Sequence, residues 1–221
     1  MQRGRVSHPV FARFYARLTP AMDQGGLADL RRQLVAGLSG RVIEVGAGDG
    51  ANFRHYPADV SLLAVEPEPY LRRRAVQAAT AAEASIEIVE GVAENLPVDD
   101  GGVDAAVASL VLCSVASQRT VLGELHRVIR PGGQLRFLEH VRAESRAMRG
   151  VQRMLDATIW PVLFGGDRTG RDTASAIEEA GFTIEWLERP RFPDSRVSLP
   201  TSAHVLGGAS RSMTDLDQRT P

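Results

Sequence analysis

Apolar residues recur along this chain in two patterns. In residues 8–38 they lie three and four positions apart, which predicts a helix in two pieces joined near Pro20 and the Gly25–Gly26 pair. From position 41 onward, short apolar runs typical of strands alternate with helix-length segments. The predicted strands are 41–46, 60–65, 86–90, 103–110, 134–140, 182–187 and 203–209, and the predicted helices are 67–82, 119–129 and 173–180.

Strands that alternate with helices predict an α/β fold: a Rossmann-like sheet of seven strands, mostly parallel, with helices on both faces. The last two strands are separated by a segment rich in proline and arginine, 189–200, and not by a helix. We therefore expect the final strand to run antiparallel, in a pair at a sheet edge. The chain divides into an N-terminal helical cap (1–38), one sheet domain (39–210) and a flexible tail (211–221).

The composition excludes several classes of function. The 26 basic and 27 acidic residues give a net charge of −1, so no global field attracts a polyanion and no nucleic-acid partner is expected. The single cysteine, Cys113, excludes a disulfide framework and a thiolate-rich metal site, which predicts a cytoplasmic protein without a bound metal. No run reaches the roughly 18 apolar residues of a spanning helix, so no integral membrane segment is expected. The oligomeric state stays open.

The segment with the clearest chemistry follows the first predicted strand and reads Glu44-Val-Gly46-Ala-Gly48-Asp-Gly50. Glycines permit a sharp turn and a close approach of ligand to main chain, and open parallel sheets bind ligands beyond the carboxyl ends of their strands. The loop also satisfies the relaxed dinucleotide pattern through Ala51. An acidic residue just before the first glycine repels a pyrophosphate and attracts an ammonium, which favours S-adenosylmethionine over NAD.

Three later segments extend this candidate site. Glu66 ends the second strand, where a carboxylate can accept both hydroxyls of a ribose, although this feature suits either cofactor. The backbone amide of Ala93 and the carboxylate of Glu94 could contact an adenine edge. The apolar run from Leu110 to Val115, after the fourth strand, could line the cofactor and the cleft for methyl transfer.

Taken together, these motifs resemble a class I S-adenosylmethionine-dependent methyltransferase over about residues 40–190. The likeness rests on the glycine loop, Glu66-Pro67, Ala93-Glu94-x-Leu-Pro97 and Arg130-Pro-Gly-Gly133, which occur in the family's order. It implies that 39–210 is the methyltransferase domain and that Gly46, Gly48 and Gly50 hold the methionine part of the cofactor. The implied cofactor-binding residues are Glu44, Gly46, Ala47, Gly48, Gly50, Asn52, Glu66, Pro67, Ala93, Glu94, Leu110 and Leu112.

A narrower resemblance is to the methyltransferase-like seven family. It is carried by Gly50-Ala-Asn-Phe53, Leu110-Val-Leu-Cys-Ser-Val115, Glu139-His-Val141 and His204-Val-Leu-Gly207. Members are associated with S-methylation of thiols and usually carry an N-terminal membrane anchor, which this sequence does not suggest. The family loop commonly reads Gly-Cys-Gly-Thr-Gly. The replacements here leave its glycines in place.

The resemblance implies methyl transfer to a small, partly apolar acceptor, a thiol first. A lipid or quinone-like ring and an amine or hydroxyl natural product are the alternatives within the class. An NAD-dependent oxidoreductase and a non-catalytic cofactor-binding module are alternatives outside it. Methyl transfer is an in-line displacement that needs alignment more than acid–base chemistry, so no catalytic base is required. His140 and Asp167 are the candidates for such a base, and the candidate substrate-pocket residues are Tyr15, Cys113, Trp160, Phe164 and Arg171.

Overall fold

The computed structural model describes residues 9–143, 145–156, 170–193 and 201–213. Within these ranges, seven strands form one sheet with helices against it. The strands are β1 (Gly40–Val45), β2 (Val60–Val65), β3 (Ser85–Val89), β4 (Val103–Ser109), β5 (Ile129–His140), β6 (Phe182–Glu188) and β7 (His204–Arg211). The helices are α1 (Pro9–Met22), α2 (Ala28–Val35), α3 (Pro69–Ala79), α4 (Gln118–Val128), α5 (Arg146–Asp156) and α6 (Thr173–Glu179).

The sheet has the order β3-β2-β1-β4-β5-β7-β6. Strands β1 to β5 are parallel, whereas β7 lies between β5 and β6 and runs antiparallel to both. The predicted fold, including the antiparallel final pair at one edge, is confirmed. The chain leaves β1 toward β2 on one side and returns to β4 on the other. The cleft beyond the carboxyl ends of β1 and β4 is therefore the topological switch point, where such sheets bind ligands.

Two hydrophobic clusters cover the faces of this sheet. One contains the apolar stripe of α4, from Val121 to Val128, and Ile177 of α6. The other contains Leu34 and Val35 of α2 and Ala75 of α3. Helix α2 thus packs in the same apolar core as the strands. The predicted division of the chain into a cap, a sheet domain and a tail stays a prediction.

The structure corrects the predicted join between the first two helices. Pro20 lies inside α1, which continues to Met22. The break comes at Gly26, whose φ of 113° only glycine adopts readily. A proline near a helix end removes one hydrogen bond, whereas a positive φ redirects the chain, so the glycine decides where the helix ends.

Two further elements differ from the sequence prediction. Helix α5 was not predicted, because its apolar positions are interrupted by three arginines and by Gly150. Strand β5 begins at Ile129, five residues earlier than predicted, so the Pro131–Gly133 turn lies within the strand beside a register shift against β4. In the part of the chain that the structure describes, no helix has the length and apolar character needed to cross a bilayer.

Candidate cofactor site at the carboxyl edge of the sheet

The loop after β1 has a backbone that requires glycine. Gly46, Gly48 and Gly50 have φ values of 61°, 60° and 83°. A Cβ on Gly46 would lie 2.6 Å from Val111 Cγ2, and one on Gly50 would lie 2.7 Å from Phe53 Cδ2. A Cβ on Gly48 would meet only ordinary contacts, so the φ of 60° and not the packing requires glycine at this position.

Glu66, at the end of β2, fixes this loop. Its Oε2 accepts the Gly48 N–H at 2.8 Å, and its Oε1 accepts the Glu68 N–H at 2.8 Å. Burial raises the pKa of Glu66, while the two N–H groups lower it. A carboxylate oxygen can accept more than one hydrogen bond. Glu66 can therefore hold the glycine loop and still accept the hydroxyls of a ribose.

Glu44 is buried beneath the loop, with 1% of its surface exposed. Its two oxygens accept hydrogen bonds from Asn52 Nδ2 at 2.7 Å and from the Tyr56 hydroxyl at 2.8 Å. Burial raises the pKa of Glu44 to about 7, although these hydrogen bonds and the charge of Arg31 lower it. The carboxylate is directed into the protein, and its predicted proximity to the cofactor ammonium stays a prediction.

Arg31 is a residue of this site that sequence analysis missed. It lies on α2 with 3% of its surface exposed. Its Nε donates to Asp23 Oδ1 at 3.2 Å, and its Nη1 donates to Asn52 Oδ1 at 2.9 Å. Asn52 therefore bonds to both Arg31 and Glu44. These bonds connect α2 to the segment that carries the glycine loop. The available signal was a charged residue on the apolar helix face that carries Leu27 and Leu34.

Glu139, near the end of β5, holds the backbone of the turn after β4, which forms the other wall of the cleft. This fully buried carboxylate accepts the N–H groups of Val111 and Leu112 at 3.0 and 2.9 Å on Oε1, and that of Cys113 at 3.0 Å on Oε2. The preceding residue, Leu110, has a φ of 58°, rare for a side chain with a Cβ. The carboxylate thus fixes three amides of a turn whose entry is strained.

Arg171 binds the same turn after β4, through backbone carbonyls instead of N–H groups. Its guanidinium donates to the carbonyls of Leu112 and Val115 at 2.5 and 2.6 Å. Sequence analysis placed Arg171 in the substrate pocket. Its bonds to these carbonyls support the backbone after β4, and its predicted place in the substrate pocket stays a prediction.

Tyr15, predicted to line the substrate pocket, does lie at the glycine loop. The carbon Cε1 of its ring is 3.6 Å from the Cβ position of Gly48. Burial raises the pKa of its phenol, which the Arg31 charge lowers and the charges of Asp49 and Cys113 raise. The place of Tyr15 and of the buried Cys113 in a substrate pocket stays a prediction.

His140, the candidate base, ends β5 beside Glu139. Its ring packs edge-on against His204 of β7, with 4.6 Å between the ring centroids. Its place at the carboxyl edge agrees with the sequence prediction, and a proton-transfer role stays a prediction. Three candidates, Trp160, Phe164 and Asp167, lie outside the described residues.

The remaining predicted cofactor residues occupy different environments. Ala47 is buried and donates its N–H to the Val65 carbonyl at 3.1 Å, while Pro67 accepts from Arg72 at 3.1 Å. Leu110, Ala93 and Glu94 are accessible in part or fully. Leu112 is fully buried in the core cluster, and its predicted contact with the cofactor stays a prediction.

A glycine turn at the switch point and a strand-end carboxylate bound to it are the features that the sequence analysis expected of a class I S-adenosylmethionine-dependent methyltransferase, and the comparisons with known proteins show that class. The sequence family described as a methyltransferase domain matches residues 43–137. Human thiol S-methyltransferase TMT1A is 36% identical over 195 residues, covering 83% of this chain and 79% of that protein. The ubiquinone/menaquinone biosynthesis C-methyltransferase UbiE of Syntrophotalea carbinolica is 27% identical, covering 95% and 86%.

Solved structures agree with this assignment of the fold. An S-adenosylmethionine-dependent methyltransferase of Thermotoga maritima, described as a possible histamine N-methyltransferase, superposes with a TM-score of 0.69 at 21% identity. The superposition covers 92% of this chain and 98% of that one. The chain belongs to the family of S-adenosylmethionine-dependent methyltransferases that includes thiol S-methyltransferase TMT1A. The oxidoreductase alternative has no support in these relationships.

Proposed function

We propose that this protein transfers the methyl group of S-adenosylmethionine to the sulfur of a small, partly apolar thiol. The observation that carries the proposal is the 36% identity to a thiol S-methyltransferase over most of both chains. The geometry is compatible with it. Glu44, Glu66 and Glu139 each use both carboxylate oxygens in hydrogen bonds within the protein. A thiol, with an ordinary pKa near 8.5, needs little help from a base.

The residues present fit the cofactor. Gly48 is partly exposed in the glycine loop, and Glu66 keeps lone pairs for two hydroxyls. We assign the ribose to Glu66, the methionine part to the glycine loop, and the adenine to the segment with Ala93 and Glu94. The bound cofactor supplies a methyl group already activated on a sulfonium. The protein itself has to orient the acceptor, keep the wall after β4 rigid through Glu139, and exclude water.

Held by the glycine loop and Glu66, the cofactor would supply its methyl group to the thiolate of the acceptor and would be left as a neutral thioether. The thiol proton is lost to solvent before the transfer. A carbon acceptor such as a quinol ring is the second candidate, favoured by the likeness to UbiE over 95% of the chain. It would require a base, for which His140 is the candidate.

A set of acceptors that differ only in the nucleophilic atom tests the proposal. Benzyl mercaptan, benzylamine and benzyl alcohol share one scaffold, and a hydroquinone adds a ring carbon. We expect S-methylation of the mercaptan alone, followed by mass spectrometry, with a rate that rises as the thiol ionises. Methylation of the amine, alcohol or ring without the thiol would show that the family likeness does not extend to the acceptor. The cytoplasmic location remains part of the proposal and rests on the single cysteine.

A further inference from the structure

The segment assigned to adenine, residues 92–95, is a tight turn after β3. A hydrogen bond from the Asn95 N–H to the Val92 carbonyl, at 3.1 Å, closes this turn. Ala93 and Glu94 therefore form its tip. The position of the tip depends on how the chain on either side of the turn is held.

Two side chains of α4 hold Leu96, the residue that follows the turn. Glu124 Oε1 accepts the Leu96 N–H at 2.7 Å, and Arg127 Nη2 donates to the Leu96 carbonyl at 3.3 Å. The two side chains also bind each other, with Arg127 Nε donating to Glu124 Oε2 at 2.8 Å and Nη2 to Oε1 at 2.7 Å. Both polar backbone groups of Leu96 are thus bonded to one bidentate ion pair.

Arg127 also holds the chain that continues from there. Its Nη1 donates to the Val98 carbonyl at 2.9 Å and to Asp100 Oδ1 at 2.8 Å, and its own carbonyl accepts the Gly101 N–H at 2.9 Å. The hydrogen bonds from Arg127 hold the pKa of Glu124 below its ordinary value, so this carboxylate is ionised at neutral pH. Arginine suits the position, because its planar fork can bind several acceptors at once in a fixed geometry.

These contacts exceed what an ion pair on a helix surface requires. The pair of Arg32 and Asp29 on α2 has the same spacing and a length of 2.7 Å, but its side chains are 64% and 74% exposed. Those of Arg127 and Glu124 are only 29% and 14% exposed. An exposed pair contributes little to stability, whereas charge-assisted hydrogen bonds to the backbone fix a segment in one position. Position matters at this turn, because the hydrogen bonds that read a base weaken steeply when a donor or acceptor is displaced.

We propose that Glu124 and Arg127 are positioning residues for this turn and that they set the preference of the site for adenine over other bases. The proposal rests on the assignment of adenine to the turn and deepens it. The pair acts through Leu96: it places the Ala93 N–H and the Glu94 carboxylate where adenine offers an acceptor at N1 and a donor at N6. Loss of the pair should therefore weaken the contacts to the base and leave those to the ribose and the methionine part in place.

Calorimetric titration of the full chain with S-adenosylhomocysteine and S-inosylhomocysteine tests the proposal. The two compounds differ only in the base, and hypoxanthine reverses the edge of adenine, with a donor at N1 and an acceptor at C6. We expect the wild type to bind the adenosyl compound about 10- to 100-fold more tightly than the inosyl compound. Arg127→Met and Glu124→Gln should each reduce this ratio at least about fivefold, through weaker binding of the adenosyl compound. Glu94→Gln, at the tip itself, should reduce the ratio too.

Arg32→Met and Asp29→Asn, from the exposed pair of α2, are matched controls and should leave the ratio unchanged. Equal losses of affinity for both compounds in Arg127→Met and Glu124→Gln would overturn the proposal, since they would indicate a structural role alone. A ratio that stays at the wild-type value in both variants while Glu94→Gln lowers it would overturn the proposal and leave the adenine assignment intact. Equal affinity of the wild type for the two compounds would overturn it without any variant having to fold. Failure of the wild type to bind either compound would instead refute the cofactor assignment.

Discussion

The buried carboxyl of Glu44 should make the stability of this protein depend on pH. Burial raises its pKa to about 7, against an ordinary value of 4.5. A raised pKa means that folding favours the protonated form. The contribution of Glu44 to stability is therefore complete below pH 4.5 and is lost as the pH rises through 7. Glu44→Gln removes the titration and keeps the side-chain size.

The gap between 4.5 and about 7 corresponds to about 3 kcal/mol, at roughly 1.36 kcal/mol for each pH unit, of which about 2.5 kcal/mol falls between pH 5 and 8. We expect the free energy of unfolding of Glu44→Gln, relative to wild type, to rise by this amount over that interval. Urea denaturation at pH 5, 6, 7 and 8 measures it. The exposed Glu87→Gln on β3 is the control and should show no such trend.

A difference between Glu44→Gln and wild type that stays constant from pH 5 to 8 would refute the reasoning, because Glu44 would then ionise in the fold as it does in water. Saturating S-adenosylhomocysteine provides a second test. If the cofactor ammonium lies near Glu44, it favours the ionised carboxylate and lowers its pKa. The change with pH in the unfolding free energy of Glu44→Gln relative to wild type should then be smaller when the ligand is bound. An unchanged value would show that the cofactor ammonium does not lie near Glu44.

Three further substitutions test the loops around the site. Gly50→Ala should lower the free energy of unfolding by about 2–4 kcal/mol in urea denaturation, because the positive φ of Gly50 and a 2.7 Å clash with Phe53 combine. The control is Gly37→Ala, which should cost only about 1 kcal/mol, because Gly37 has a φ of 70° but open space around its Cβ position. Equal costs for the two variants would contradict the packing argument. Glu139→Gln should cost about 2 kcal/mol, because an amide NH₂ would face a backbone N–H, and it should lower affinity for S-adenosylhomocysteine, unlike Glu87→Gln. Glu66→Ala should weaken that binding at least about tenfold by calorimetry, and an unchanged affinity would remove the ribose role.

The sheet could be predicted because its signals are local. The run from Val60 to Val65 forms β2 with the predicted bounds, since a short apolar stretch between polar segments can be buried only as a central strand. The glycine turn was equally predictable, because a positive φ at Gly46, Gly48 and Gly50 demands this residue type. The beginning of β5 was not, because the turn at Pro131–Gly133 forms an irregularity inside the strand, between Ile129 and Gln134, which pair with β4.

The interactions that support the site depend on side chains far apart in the sequence. Glu139 accepts from backbone groups 26 to 28 positions away, and Arg31 contacts Asn52 at a separation of 21. No periodicity encodes such pairs. Arg31 left a trace, as a charge on the face of α2 that carries Leu34 and follows Leu27, because a buried guanidinium there requires partners from other elements.

Asp49 offers a second origin for the preference for a zwitterion over a diphosphate, beside the Glu44 that the sequence suggests. Sequence analysis assigned it to Glu44, but a carboxyl with a pKa of about 7 is only about half ionised at neutral pH and is already bonded to Asn52 and Tyr56. Asp49 lies in the loop itself, and its Oδ1 has no hydrogen-bond partner within the described ranges. Its charge should repel a pyrophosphate more directly than that of Glu44, while Arg31 balances one anionic group and not two. If this is correct, Asp49→Asn should raise the affinity for NAD more than Glu44→Gln does, as measured by calorimetric titration. The reverse order would show that Glu44 is the main residue that disfavours a diphosphate.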